Sequence, residues 1–155
     1  MSWFGSLLCP APPQPDAQLR ERIILHEGTN RYAYTDSLGF LTIGTGRCID
    51  PRRGRGLSAD ESSLLLTNDI AACVAELEPY IWFRAQTVVR RGALIELCFN
   101  LGLNGLLEFT KMQEALIQAD YTAVGNELKA SLWYRQVGSG RGDDIIMRLQ
   151  EGRYA

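Results

Sequence analysis

The chain has one histidine, and its four cysteines stand far apart in the sequence. No two cysteines form a C-x-x-C pair, and there is no second histidine to complete a ligand set, so the spacing typical of a zinc or redox site is missing. We therefore expect no bound metal and no cofactor. The cysteines are expected to be reduced thiols that are mostly buried.

An excess of positive charge is also missing. The chain carries 16 basic and 18 acidic side chains, so no overall field draws it to nucleic acid or to an anionic surface. Its one basic cluster is the segment DPRRGRG, residues 50–56. A flexible, solvated loop is the favoured interpretation, with phosphate or nucleic-acid binding and attraction to an anionic cell-wall polymer as alternatives. We expect no nucleic-acid partner.

Long apolar runs are absent as well. No stretch reaches the roughly 18 apolar residues of a membrane-spanning helix, so we expect no stable membrane insertion. The first 15 residues, MSWFGSLLCPAPPQP, hold a short apolar patch with no basic residue before it. Leu8 before Cys9 does not suit a lipoprotein cleavage site. We therefore expect no signal peptide, and accumulation in the cytoplasm of the cell that makes the protein.

What the chain does have is enough apolar content for a buried core. With 155 residues, of which 46% are hydrophobic, it can form one core or two small lobes that share a long element. The predicted class is α+β. We expect a Pro-rich leader over residues 1–15, an N-terminal lobe with a helix and a short antiparallel sheet over 16–57, a connecting helix over 58–79, and an all-helical C-terminal lobe over 80–155.

Local signals place the elements of the N-terminal lobe. Asp16 can cap a helix over about residues 17–26, and Gly28 is its stop signal. The segments RYAYT and FLTIG flank DSLG, whose Asp in first place and Gly in fourth favour a type I turn, so a hairpin is predicted. Residues 46–57 are rich in Gly and Arg and leave room for a short third strand.

The connecting helix begins at an S-x-x-E capping box, Ser58 and Glu61, and runs to about Glu78 before Pro79. A helix of that length spans roughly 30 Å, which is too long for packing within one small lobe. It is therefore predicted to bridge two lobes.

The C-terminal part has a helical pattern throughout. Helices are predicted near residues 88–101, 121–131 and 142–151, with a short turn over 104–109. Thr110 and Gln113 form a second capping-box pattern, which predicts another helix start.

Glu27, Asp36 and Thr42 are the residues of chemical interest on the first helix and the hairpin. A carboxyl in the last helical turn faces the negative end of the helix dipole, which favours the protonated form that a general acid needs. A second carboxyl in a polar turn stays ionised, and such a pair suffices to cleave a glycosidic bond. The Thr42 hydroxyl is suited to hold a water. The plainer alternatives are that Asp36 only forms the turn and that Thr42 only fills a strand position.

The order E-x8-D-x5-T within HEG…YTDSLGFLTIGTG resembles the active-site signature of the phage-type lysozymes, glycoside hydrolase family 24. The segments VRRGALIELCFNLG (89–102), EFT (108–110) and SLWYRQ (131–136) resemble the C-terminal lobe of that family. The resemblance covers about residues 17–153. It implies a lysozyme-like α+β fold with a long helix between the lobes.

The resemblance also implies roles for matching positions. Glu27 would be the general acid, Asp36 the group that positions or activates water, and Thr42 a residue that helps to place that water, with inversion at the anomeric carbon. Asn100 and Trp133 fall where the family has a glutamine and a tryptophan beside the cleft. Arg141 matches an arginine that pairs with the catalytic glutamate, although an extra loop residue, Gly140, precedes it here.

One position departs from the family pattern. T-even members carry a histidine after the second strand, ion-paired to an aspartate on the long helix, whereas Arg47 occupies that position here and Asp69 matches the aspartate. An Arg–Asp pair would keep this structural tie without its sensitivity to pH near neutrality, because a guanidinium does not titrate there. We expect contact between Arg47 and Asp69.

The resemblance implies an endolysin: a monomeric muramidase that binds the glycan strands of bacterial peptidoglycan. It would hydrolyse the β-1,4 bond between N-acetylmuramic acid and N-acetylglucosamine for host cell lysis. Without a signal peptide it would accumulate in the host cytoplasm and depend on a holin to permeabilise the membrane before it acts in the periplasm.

Three alternatives compete with this interpretation. A catalytically idle peptidoglycan-binding protein would not require a proton donor such as Glu27. A lytic transglycosylase would use Glu27 alone, leave Asp36 unexplained, and form an anhydro sugar instead of adding water. A nucleic-acid-binding protein would use Arg52, Arg53 and Arg55 and lose affinity steeply with salt.

Overall fold

The structure is a computed structural model that describes residues 17–154. The predicted leader and the predicted cap Asp16 lie outside the described residues, as does Cys9. The chain divides into two compact units, unit 1 (Met1–Ala59) and unit 2 (Asp60–Ala155). The division falls in the first turn of the long helix. The finer division of the chain into a leader, two lobes and a connecting helix stays a prediction.

Unit 1 begins with helix α1, Ala17–Glu27. It ends where the sequence predicts, because Gly28 takes φ +70° and its N–H closes the last turn on the carbonyl of Ile24 at 2.9 Å. A positive φ is accessible to glycine without steric cost, which makes it an effective helix terminator. Glu27 is therefore the last helical residue.

The sheet of unit 1 has three antiparallel strands in the order β1 (Asn30–Thr35), β2 (Leu41–Gly44) and β3 (Arg47–Cys48). The predicted DSLG turn joins β1 to β2, with the Gly39 N–H donating to the Asp36 carbonyl at 3.0 Å. Thr42 on the central strand pairs with Tyr34 on one side and Cys48 on the other. The hairpin is confirmed, and the third strand forms in the space that the sequence leaves for it.

Unit 2 is helical, as predicted. Its elements are α2 (Ala59–Leu77), α3 (Ile81–Arg84), α4 (Val88–Leu107), α5 (Thr110–Ile117), α6 (Tyr121–Ala130) and α7 (Leu132–Glu151). Two of these helices contain a break at a glycine with positive φ, Gly102 in α4 and Gly138 in α7. Each glycine has non-helical backbone angles that kink the chain, and a helix continues directly after it.

The turn predicted over residues 104–109 is wrong in its first part. Residues 104–107 are helical and only 108–109 leave the helix, because Leu106 and Leu107 reach the core and packing outweighs the weak local signal. The helix start predicted at Thr110 is confirmed, since α5 begins there, but its N-cap is Phe109 and not Thr110. The Gln113 amide instead donates to the carbonyls of Leu106 and Leu107, at 3.4 and 2.9 Å.

The apolar core lies in unit 2. Side chains from the end of α2 and from α3 to α7 form one cluster with almost no exposed surface, including Phe83, Leu94, Leu97, Leu106 and Leu149. Together with the small antiparallel sheet of unit 1, this arrangement confirms the predicted lysozyme-like α+β class. Within residues 17–154 no single helix has the length and apolarity to cross a membrane, and one bent pair, Val88–Leu107 with Thr110–Ile117 at 103°, passes that test by length and composition only.

Candidate functional site

Glu27 lies at the end of α1 with an exposed side chain, and its carboxylate faces the turn between β2 and β3. Gly46 in that turn has φ +73°, and a Cβ placed on it would lie 3.4 Å from Glu27 Oε2. Glycine is favoured here because it accommodates the left-handed backbone. A Cβ would meet the carboxylate only at ordinary van der Waals distance, so the distance shows that Glu27 lies beside this turn.

Asp36 is held rigidly at the hairpin. Its Oδ1 accepts hydrogen bonds from the backbone N–H groups of Leu38 and Phe40, at 2.9 and 2.8 Å. Its Oδ2 lies 3.5 Å from the hydroxyl of Thr42, a residue only 3% exposed whose Oγ1 also lies 3.3 Å from the Phe40 carbonyl. The structure thus brings Asp36 and Thr42 together. The turn fixes Oδ1 with two backbone N–H groups and leaves Oδ2 facing the Thr42 hydroxyl.

All three residues of the predicted triad belong to unit 1. The hairpin positions Asp36 and Thr42, and Glu27 is the last residue of α1. β2 carries Thr42 near its start and leads into the turn where Gly46 meets Glu27. An exposed carboxyl at a helix end and a second carboxyl fixed by backbone N–H groups are the two kinds of group that general acid and general base chemistry needs.

Asp50 is a structural residue that the sequence analysis missed. Its side chain is nearly buried and accepts hydrogen bonds from the Leu41 N–H at 2.9 Å and from the backbone N–H and guanidinium of Arg52. The Arg52 side chain, first, and the Leu41 N–H hold the pKa of Asp50 well below its usual range. Asp followed by Pro commonly begins such a turn, so the sequence DPRR already indicates that Asp50 caps a turn.

The basic segment 50–56 is therefore anchored, which corrects the expected flexibility of this loop, whereas residues 51–56 are exposed to solvent as expected. Pro51–Arg53 forms a 3-10 turn capped by Asp50. Arg52 is paired to Asp50 at 2.7 Å, and the Arg53 guanidinium lies over the Phe40 ring at 4.1 Å. Cation–π contact and the ion pair direct these two arginines back onto the hairpin.

In unit 2 the structure joins two of the predicted substrate-binding residues. The indole N–H of Trp133 donates to Asn100 Oδ1 at 2.8 Å. Trp133 is 4% exposed and belongs to the core, whereas Asn100 is exposed. Asn100 is thus the member of the pair that a ligand can reach.

Arg141 lies in an ion-pair network of unit 2. Its Nε donates to Glu96 Oε1 at 3.3 Å, and Arg148 donates to the other Glu96 oxygen at 2.5 Å and to Asp144 at 2.8 Å. The resemblance implies an ion pair between Arg141 and Glu27, and no feature of the sequence points to Glu96 as a partner of Arg141. The pairing with Glu27 stays a prediction, because it joins residues of different units.

Arg47 and Asp69 also belong to different units. Arg47 begins β3 and donates to the Gly56 carbonyl at 2.8 Å, and Asp69 is an exposed residue of α2. Their ion pair stays a prediction.

Cys48, Cys73 and Cys98 are free thiols, and only Cys98 is fully buried. Burial raises the pKa of Cys98 to about 12, helped by the neighbouring Cys73 and by Glu76, whose carboxylate lies 3.8 Å from the Cys98 sulfur. Over residues 17–154, no group of three or more His, Cys, Asp or Glu side chains is placed to hold a metal ion.

Comparison with known proteins identifies relatives of this arrangement. Residues 25–149 match the family described as Phage lysozyme. The chain is 25% identical over 170 residues to the pre-baseplate central spike protein of Enterobacteria phage T4, a match that covers 92% of this chain and 29% of the spike protein. It is 20% identical over 163 residues to the probable T4-type lysozyme 1 of Dictyostelium discoideum, which covers 88% of this chain and 95% of that protein. The matched residues include Glu27, the hairpin and the Asn100–Trp133 pair, and this chain belongs to the phage lysozyme family.

Proposed function

We propose that the protein is an inverting muramidase. It hydrolyses the β-1,4 bond between N-acetylmuramic acid and N-acetylglucosamine in peptidoglycan. Membership of the phage lysozyme family supports a lysozyme-like function that acts on peptidoglycan. The observation that carries the finer proposal is the hairpin itself, which fixes Asp36 beside Thr42 and places Gly46 against the Glu27 carboxylate.

In the proposed reaction, protonated Glu27 donates its proton to the glycosidic oxygen as the bond to the anomeric carbon breaks. Asp36 uses Oδ2, because Oδ1 is occupied by two backbone N–H groups. That oxygen and the Thr42 hydroxyl hold a water, and Asp36 accepts a proton as the water attacks the opposite face of the sugar. Attack from that face inverts the configuration at the anomeric carbon.

Asn100 and Arg141 are proposed to contact the glycan from unit 2. Trp133 was expected to bind substrate too, but it is buried in the core and is proposed to orient Asn100 instead. The Trp133 indole occupies the Asn100 carbonyl oxygen, so the Asn100 amide nitrogen is the group that faces a sugar. Arg47 and Asp69 are proposed as a structural ion pair that does not titrate near neutral pH.

The biological setting that we propose is host cell lysis. A monomeric enzyme would accumulate in the host cytoplasm and reach the peptidoglycan in the periplasm once a holin has opened the membrane.

The first test is Glu27→Gln, assayed as release of soluble products from purified peptidoglycan. Loss of the proton donor is expected to lower turnover by roughly 10²- to 10⁴-fold, because general acid catalysis contributes that much. Glu21→Gln is the matched control, since Glu21 is an exposed glutamate on the same helix. It should keep full activity. Circular dichroism of both variants checks that α1 and the sheet still form.

Glu27→Gln protein that still solubilises peptidoglycan at the wild-type rate would remove Glu27 from the reaction and end the proposal. The mass of the product separates hydrolysis from transglycosylation, because hydrolysis adds one water and cyclisation adds none. Binding of peptidoglycan without any soluble product from the wild-type protein would instead identify an idle binding module.

A further inference from the structure

Two thiols of unit 2 lie side by side between helices α2 and α4. Cys73 on α2 is half-buried and packs against the apolar core, and Cys98 on α4 is 1% exposed within that core. Each lies one helical turn from a fully buried leucine, Cys73 before Leu77 and Cys98 after Leu94. Because residues four apart share a helix face, both thiols project from the sides of their helices that form the core.

The contacts at Cys98 place α2 and α4 against each other at this point. The Cys98 sulfur lies 3.8 Å from Oε2 of Glu76, which is three residues after Cys73 and therefore on the same side of α2. The Cys73 thiol is also within hydrogen-bonding reach of Cys98. A disulfide requires the two sulfurs to close to about 2 Å. Cys73 keeps one side open to solvent, so its side chain has room to turn toward Cys98.

The two thiols differ in reactivity. Burial, first, and then the neighbouring Cys73 and Glu76 raise the pKa of Cys98 to about 12, so Cys98 is protonated in neutral solution and inert toward reagents. Cys73 is the thiol that solvent reaches. An oxidant therefore reacts with Cys73 first, and Cys98 reacts only with a sulfur that is already held at Cys73. The Glu76 carboxylate is placed to take the Cys98 proton in that second step.

We propose that Cys73 and Cys98 are a disulfide-forming pair that stabilises unit 2 once the protein meets a disulfide-bearing oxidant. Cys73 loses its proton to water, attacks one sulfur of the oxidant and releases the other sulfur as a thiolate. Cys98 then gives its proton to Glu76 and attacks the Cys73 sulfur, which releases the second sulfur of the oxidant. Two thiols are oxidised and one disulfide is reduced. This inference does not depend on the proposed muramidase function.

The bond would tie the last part of α2 to the core helix α4. It closes a loop of about 26 residues, which restricts the unfolded chain and so favours the folded state. The oxidised protein is expected to melt roughly 5–15 °C above the reduced protein. In a reducing compartment both thiols stay free, so the stabilisation would begin when the protein reaches an oxidising one.

The first test incubates wild-type protein with oxidised glutathione, blocks the remaining thiols with iodoacetamide and digests the product with trypsin without reduction. Cys73 then lies in the peptide 56–84 and Cys98 in the peptide 92–111. Mass spectrometry should find these two peptides joined, lighter by two hydrogens than their sum, and separated by a reductant. Unlinked peptides, or Cys73 joined to Cys48, would overturn the proposal.

Variants of single cysteines test the order of the two steps and the stabilisation. Cys98→Ala should stop at a glutathione adduct on Cys73, whereas Cys73→Ala should leave Cys98 unmodified. Circular dichroism checks that both variants fold. Cys48→Ser is the matched control, because it removes a thiol of unit 1, and it should keep both the Cys73–Cys98 link and the rise in Tm on oxidation. Glutathione on Cys98 in the Cys73→Ala protein would contradict the order, and a link without a rise in Tm would contradict the stabilising role.

Discussion

In unit 2 the side chains with almost no exposed surface are mainly leucines, aromatic residues and other apolar groups, whereas the two buried residues described in unit 1 are Thr42 and Asp50. Unit 2 is therefore stabilised by removal of apolar surface from water, which depends little on direction or pH. Unit 1 is held by directed hydrogen bonds from a few polar groups. Such bonds fix the angles and distances between the groups that they join.

The largest expected effect comes from shortening one leucine in each unit and comparing the two changes in the free energy of unfolding. Leu97→Ala in the core of unit 2 is expected to lower the free energy of unfolding by about 2–5 kcal/mol, because Leu97 is fully buried and leaves a cavity. Leu25→Ala in unit 1 is the matched control, since Leu25 is 79% exposed, and it should change stability by less than about 0.5 kcal/mol. Urea denaturation followed by circular dichroism measures both values, and equal effects would break the comparison.

A second test removes the polar centre of unit 1. Asp50→Ala deletes the acceptor of the Leu41 N–H and of Arg52, so we expect faster amide hydrogen exchange across the hairpin and the segment 50–56. Exchange of the buried helices in unit 2 should stay at the wild-type rate. Glu21→Ala, an exposed acidic residue of the same unit, controls for loss of a negative charge. Faster exchange in both units alike would contradict separate stabilisation.

The lowered pKa of Asp50 also determines how the stability of unit 1 should change in acid. Because the pKa of Asp50 is lowered in the folded state, its contribution to stability is present above the ordinary value of 3.8 and is lost as the pH falls through the lower folded value. The Leu41 amide proton should therefore keep its NMR shift as the pH passes 3.8 and change only in stronger acid. A change centred at or above pH 3.8 would show that Arg52 does not hold the carboxylate ionised.

The smallest expected effect concerns a single hydrogen bond at the edge of the unit 2 core, between Trp133 and Asn100. Breaking the Trp133–Asn100 hydrogen bond should cost about 1 kcal/mol, the usual net value of such a bond. A double-mutant cycle with Trp133→Phe and Asn100→Ala separates this bond from the loss of ring volume. A coupling energy near zero would mean that Trp133 is held by packing alone, as its core neighbours are.

The elements that could be predicted from sequence are those with strong local signals. The hairpin follows from DSLG between β-prone segments, and α1 ends at Gly28 as expected. The helix that resumes after Gly102 could not be predicted in this way, because a glycine signals a stop and packing of the following leucines restores the helix. The helix after Gly138 was predicted near residues 142–151, although it begins before them.

The candidate site was also predictable only where local signals determine it. The spacing of Glu27, Asp36 and Thr42 is visible in the sequence, and the contact between Asp36 and Thr42 follows from the hairpin register. The approach of Gly46 to Glu27 could not be foreseen, because it depends on how the β2–β3 turn packs against α1. The pairing of Arg141 with Glu96 likewise requires two helices to be placed in space.

Gly46 also limits how this chain can change under selection. A residue with a Cβ at this position would have to adopt a left-handed backbone, at a cost of roughly 1–2 kcal/mol. Its Cβ would lie 3.4 Å from Glu27 Oε2, which is ordinary van der Waals contact, so the backbone and not crowding sets that cost. In a directed-evolution library selected for folded protein, codon 46 should therefore stay glycine.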